Sequence, residues 1–172
     1  IWKSVKDSKK LTRQSRERLF GEITQNCFYA LGEASPREIE NQNIIQASFL
    51  AMRRAFTDLQ KKINGPVEMA LIDGHLTTDL PCPATSIIKG DDKSITIAAA
   101  SIIAKVTRDR YMAELANTFP HYGWENNVGY PTKAHLEGIN AHGITDHHRR
   151  SFAPVRDYIA YGSTDRQKKL AI

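Results

Sequence analysis

With 172 residues, 41% hydrophobic, 25% charged and 8% aromatic, the chain has the length and mixture of one globular domain. No apolar run approaches the roughly 18 residues that a membrane span needs, and ordinary Gly and Pro content sets aside collagen-like and disordered chains. Two cysteines, Cys27 and Cys82, cannot form a disulfide framework and fit a reducing, cytoplasmic compartment. The net charge of +5 is spread unevenly: +5 over residues 1–20, −4 over 21–148 and +4 over 149–172. Basic ends around an acidic centre suit a polyanion held at the ends and cations held in the middle. Two solvated surface segments explain the same charge equally well.

The chain opens on Ile1-Trp2 without an initiator Met or a signal peptide, and it is expected to be incomplete at its N-terminus. Thr12 caps a helix running to about Tyr29, with Leu19, Ile23 and Cys27 on one stripe. Ser35-Pro36-Arg37-Glu38 is a capping box that starts a short helix. A longer helix is predicted from Asn43 to Ile63, with Ile45, Met52, Phe56, Leu59 and Ile63 inward, stopped by Asn64-Gly65-Pro66. Val67 to Ile72 reads as a buried strand that ends in Asp73-Gly74. Ala84 to Ile88 reads as a second strand, which ends in Lys89-Gly90-Asp91-Asp92.

Ile95 to about Asn117 is a helix rich in small residues, able to lie close to a neighbouring backbone. Tyr122 to Pro131 reads as a turn-rich loop, and Thr132 then caps a helix that ends at Gly143. A final helix spans Pro154 to Tyr161, with a fraying polar tail behind it. The expected product is a single α/β domain over residues 1–172, with a helical C-terminal part from about 132.

Asp73 and Asp91 each fall at the C-terminal end of a predicted strand, the edge where open α/β sheets bind ligands. On neighbouring strands they would share one crevice and suit a hard divalent ion such as Mg²⁺, completed by waters and substrate phosphates. Taken singly, a strand-end turn residue and a helix-entry cap explain them as well. Asp146-His147-His148 has no further ligand at metal spacing and reads as surface histidines beside a basic patch. No Gly-rich phosphate loop and no Gly-x-Ser-x-Gly elbow is present.

Six segments in order then carry a resemblance. They are Asp7-Ser8-Lys9-Lys10-Leu11; Leu71-Ile72-Asp73-Gly74; Lys89-Gly90-Asp91; the helix from Ala99 to Asp109; Gly129-Tyr130-Pro131-Thr132 with His135; and His148-Arg149-Arg150-Ser151-Phe152. Together, from about Asp7 to Val155, the chain resembles bacterial ribonuclease HII, the type 2 ribonuclease H. The resemblance implies an RNase H-like mixed sheet flanked by helices. It also implies an endoribonuclease that cleaves the RNA strand of RNA–DNA hybrids and nicks duplex DNA 5′ to an embedded ribonucleotide, with Mg²⁺ or Mn²⁺ held by four acids.

On that resemblance Asp73 and Asp91 match the third and fourth acids. Tyr130 matches the tyrosine that packs on the junction sugar and senses the 2′-hydroxyl. Lys9 and Lys10 match a basic loop near backbone phosphates, and Arg149, Arg150 and Ser151 match a region at the active-site edge. The family's opening Asp-Glu-Val-Gly-Arg-Gly motif, which supplies the first two acids, is absent from the sequence, so the opening strand is missing from the expected sheet. Val128, where many members carry Lys, and Ala98, where many carry Ser, also depart from the pattern. The expected molecule is a monomeric, membrane-free enzyme of the cytoplasm. The alternative is a catalytically inactive nucleic-acid-binding fragment of such a nuclease.

Overall fold

A computed structural model describes residues 2–165. The elements in chain order are helices α1 (Arg13–Asn26), α2 (Pro36–Gln42) and α3 (Ile44–Gln60), strands β1 (Ala70–Asp73) and β2 (Ala84–Ile87), then five further helices. These are α4 (Gly90–Lys93), α5 (Ile95–Thr118), α6 (Trp124–Asn127), α7 (Lys133–His142) and α8 (Ala153–Tyr161). The α/β class read from the sequence is borne out, and the sheet among the described residues is two parallel strands. The chain divides into two compact units. One takes in the chain through Ala34 together with Ser48–Thr107, and the other takes in Ser35–Ala47 together with the chain from Arg108. The predicted fraying tail is described as far as Asp165, where the Thr164 N–H donates to Asn140 Oδ1 at 2.9 Å; Arg166, Lys168 and Lys169 lie outside the described residues.

Local signals placed most helix starts. Thr12 Oγ1 accepts from the Ser15 N–H, and Ser35 and Glu38 close their capping box reciprocally. Asn43 ends α2 at φ 81° and also begins α3, its Oδ1 accepting from the N–H groups of Ile45 and Gln46. Asn tolerates that left-handed backbone because its side chain bonds locally. Ile45, expected inward, is 49% exposed, and the small Ala47 takes the buried position instead.

In the first unit the core gathers Val5, Leu19, Ile23, Ala98, Ala99, Ile102, Ile103 and Val106. The small-residue stripe of α5 is thus split, with Ala98 and Ala99 buried and Ala100 and Ala104 exposed. Ala98 is fully enclosed by apolar side chains, an environment in which a serine hydroxyl would need a partner. The strand expected to be buried is only half so: Ile72 is buried while Met69 and Leu71 face outward. Two strands cover too little of each other's surface to bury both faces. The strands run in register, Ala70 opposite Ala84 and Asp73 opposite Ile87.

In the second unit the core is Met112, Ala116, Tyr122, Trp124, Ile139 and Val155. The stretch expected as a turn-rich loop holds a 3₁₀ turn at Pro120–Tyr122 and the short helix α6. Trp124 and Tyr122 stack with ring centroids 4.8 Å apart, and that burial is what turns a loop-like sequence into a packed one. Gly138 lets α7 close on the preceding turn, since a Cβ there would sit 2.2 Å from the His121 carbonyl oxygen.

Candidate active site

The carboxylate edge lies in the first unit. β1 delivers Asp73 at its last residue, and β2 leads through Lys89 into α4, which carries Asp91 and Asp92. Lys89 adopts the left-handed conformation (φ 54°, ψ 49°) and turns the chain so that the Gly90 N–H donates to Asp73 Oδ1 at 2.7 Å. A Cβ at Gly90 would lie 2.5 Å from the tip of the Ile97 side chain at Cδ1 and 3.2 Å from the same Asp73 oxygen. Asp91 is half-buried, one residue beyond the amide that holds Asp73.

Lys10 reaches this edge through its ammonium, which pairs with Asp92 Oδ1. The hydrogen bond to Asp92 holds the Lys10 pKa above its usual range, and the same bond lowers Asp92. Both side chains are largely exposed, so the pair contributes little to stability and weakens with salt. Lys9 is exposed and its backbone N–H caps onto Asp7 Oδ1 at 2.8 Å. Among the described residues no group of three or more His, Cys, Asp or Glu stands ready to hold a metal. An open groove lined by Leu31, Glu33, Arg53, Arg54 and Asp58 contains none of the expected site residues.

Tyr130 lies in the second unit, 68% exposed as a residue but with its backbone tied down. Its N–H donates to the Asn127 carbonyl at 2.8 Å, and its own carbonyl accepts from the Thr132 N–H at 2.8 Å and from His135 Nδ1 at 2.9 Å. The approach to the turn runs through Val128 at φ 50° and Gly129 at φ 90°. A β-branched residue in that region is strained, and Val128 is kept there by packing on the second core.

His135 continues to His148, Nε2 to Nε2 at 3.2 Å, and His148 opens the segment that bears Arg149, Arg150 and Ser151. Arg149 lies over the Phe152 ring at 4.8 Å, the Arg150 N–H donates to Glu40 Oε1, and Ser151 is exposed.

The family model described as Ribonuclease HII matches residues 3–155. A ribonuclease HII of Magnetococcus marinus is 52% identical over 158 residues, covering 91% of this chain and 73% of that protein. One from Polynucleobacter necessarius is 50% identical, covering 88% of this chain and 78% of that protein. The chain belongs to the ribonuclease HII family. A crystal structure of the ribonuclease H2 from Pyrococcus horikoshii OT3 superposes with a TM-score of 0.71 over 92% of this chain and 81% of that one; at 23% identity it speaks to the fold alone. Ribonuclease HII proteins are hydrolases, metal-dependent ribonuclease H endonucleases acting on RNA–DNA substrates.

For this ribonuclease HII chain, the described residues bring Asp73, Asp91, Asp92 and Lys10 to one strand edge, and Tyr130, His135, His148 and Arg149 to one cluster. The reading of Asp146-His147-His148 as surface histidines needs correction. Asp146 and His147 are exposed, but His148 is 5% exposed, and burial lowers its pKa to about 4. Burial also lowers His135. Spacing gave no warning of this, because the partners 135 and 148 sit on α7 and in the turn beyond it, 13 residues apart. Their only trace in the sequence was a place in two separate family segments.

Proposed function

We propose that this chain works as a two-metal endoribonuclease that cuts the RNA strand of RNA–DNA hybrids and nicks 5′ to single ribonucleotides in duplex DNA. The observation that carries the reading is Asp73, fixed by the Gly90 amide at the C-terminal end of β1, with Asp91 next along the chain from that amide. A carboxylate with one oxygen on an N–H keeps lone pairs for a hard cation, and Mg²⁺ needs only one or two such ligands when waters and phosphates complete its shell. When bound, Mg²⁺ or Mn²⁺ supplies charge beside the attacking and leaving oxygens of phosphodiester hydrolysis, which yields 5′-phosphate and 3′-hydroxyl ends.

The chain's own residues do the rest. Asp73 and Asp91 would hold the cations in place. The exposed Tyr130 ring packs on the sugar at the junction, where a 2′-hydroxyl separates RNA from DNA. Lys9, Lys10, Arg149, Arg150 and Ser151 contact the backbone, and such contacts position the duplex without reading its sequence. The enzyme acts as a monomer in the cytoplasm. That setting suits two free cysteines.

In the full-length protein Asp73→Asn should lower Mn²⁺-dependent nicking of a duplex bearing one ribonucleotide by roughly two orders of magnitude or more, with duplex binding retained. Normal turnover would remove Asp73 from the site. The alternative is an inactive nucleic-acid-binding module. Calorimetry with Mn²⁺ separates the two, since heat of binding that disappears in Asp73→Asn belongs to the enzyme and an absence of heat belongs to the passive binder.

A further inference from the structure

Two turns of the second unit meet through a pair of histidines whose proton positions follow from their fixed neighbours. A backbone N–H only donates and a backbone carbonyl only accepts. The Thr145 N–H points at His148 Nδ1 from 3.0 Å, so that nitrogen is bare and the neutral ring carries its hydrogen on Nε2. At the other end, the Tyr130 carbonyl oxygen lies 2.9 Å from His135 Nδ1, which must carry the hydrogen and leave Nε2 as an acceptor. The Trp124 indole N–H, another obligate donor, aims at that same Nε2 from 3.1 Å. His148 Nε2–H can then donate to His135 Nε2 across 3.2 Å. Two uncharged rings of opposite tautomer are compatible with all of these contacts, the Trp124 and His148 donors sharing the one lone pair of His135 Nε2, and a proton added to either ring would oppose a donor.

The surroundings agree. The Tyr122 ring stands 4.8 Å from that of His148, and Trp124 stands 5.2 Å from it. Burial is the main force against charge on both rings; at His148 the neighbouring His135 and then His147 add to it, while backbone contacts with Thr145 at His148 and with Tyr130 at His135 work the other way. Neither imidazole has a carboxylate partner among the described residues.

We propose that His135 and His148 are positioning residues: a neutral, directional relay running Thr145 to His148 to His135 to the Tyr130 carbonyl, which holds the exposed Tyr130 ring in its sugar-reading pose. The proposal rests on the reading of Tyr130 as the substrate-facing tyrosine. The relay makes the turn before Arg149 and the turn bearing Tyr130 one mechanical element, so that loosening either loosens both.

Long-range proton–nitrogen NMR of the full-length protein at neutral pH tests the tautomers directly. His148 should appear as the Nε2–H form and His135 as the Nδ1–H form, with His148 uncharged at pH 6. The opposite tautomer at either ring, or titration of His148 at the ordinary value near 6.5, overturns the relay.

Kinetics test the coupling. His148→Leu should raise KM for a ribonucleotide-bearing duplex by about fivefold to tenfold, the loss expected of one buried hydrogen bond, with kcat nearly unchanged. His135→Asn, whose amide can donate from near the Nδ1 position, should recover most of what His135→Leu loses. In a Tyr130→Ala background His148→Leu should add nothing, and additive losses overturn the proposal. Tyr130→Ala with unaltered discrimination against all-DNA duplex would instead overturn the tyrosine reading itself, and that result is separate from any histidine variant.

Discussion

The carboxylate edge of the first unit and the tyrosine turn of the second are held in opposite ways. At the edge, the Gly90 amide orients Asp73 at the last residue of β1. At the turn, the Tyr130 backbone is fixed by Asn127, Thr132 and His135, over a core of stacked Tyr122 and Trp124. A group that must admit cations and phosphates needs open oxygen atoms, so its support has to come from behind it. An aromatic ring that must read a sugar needs only its face free, so its backbone can be locked from every side. The tolerance of each region to change should differ accordingly.

The largest effect should come from Gly138→Ala. The new methyl would meet the His121 backbone, which cannot swing aside, and stability should fall by about 3 kcal/mol in denaturant unfolding. The analogous Gly90→Ala meets the tip of the Ile97 side chain first, which can rotate, so its cost should stay nearer 1 kcal/mol. Its mark should fall on activity instead, because the Asp73 carboxylate is pushed off its amide. Equal stability losses in the two variants would break the contrast between a locked turn and an open edge.

Acid should act on the turn. The folded His148 pKa, near 4, lies below the unfolded value of 6.5. Between those values the unfolded chain binds the extra proton, so stability is fullest above pH 6.5 and falls as the pH drops towards 4. The fall should amount to about 3 kcal/mol for a shift of this size. His148→Leu should flatten that part of the pH–stability curve, as followed by urea midpoints at each pH. A wild-type curve already flat from pH 7 to 4 would show that the imidazole is not held neutral.

The smallest expected effects concern the strained residues beside each site. Lys89 is exposed, so Lys89→Gly relieves a left-handed backbone and should stabilise by up to about 1 kcal/mol. Val128 packs on the second core, so Val128→Gly loses contacts as well as strain and should bring little or no gain in thermal midpoint. A gain at Val128 matching that at Lys89 would mean its packing contributes nothing.

Much of this was legible in the residues alone. The caps at Thr12, Ser35 and Thr132, the Asp73-Gly74 strand end and the extent of α5 follow from local rules, because each depends on neighbours within one turn of chain. The ordered motifs around Asp73, Asp91 and Tyr130 also pointed to the ribonuclease HII family, whose membership the chain shows at about half identity to its relatives.

What only the tertiary structure decided depends on partners distant along the chain. Lys10 meets Asp92 across 82 residues, and Ile45 yields its inward place to Ala47. A stretch with the composition of a loop packs around Trp124, and His148, one of three polar residues in a row, is buried. Periodicity and capping report which face of an element is apolar, but they carry no record of what will cover it. A histidine becomes a neutral link rather than a surface charge only when folding removes its water and supplies a donor on one side and an acceptor on the other.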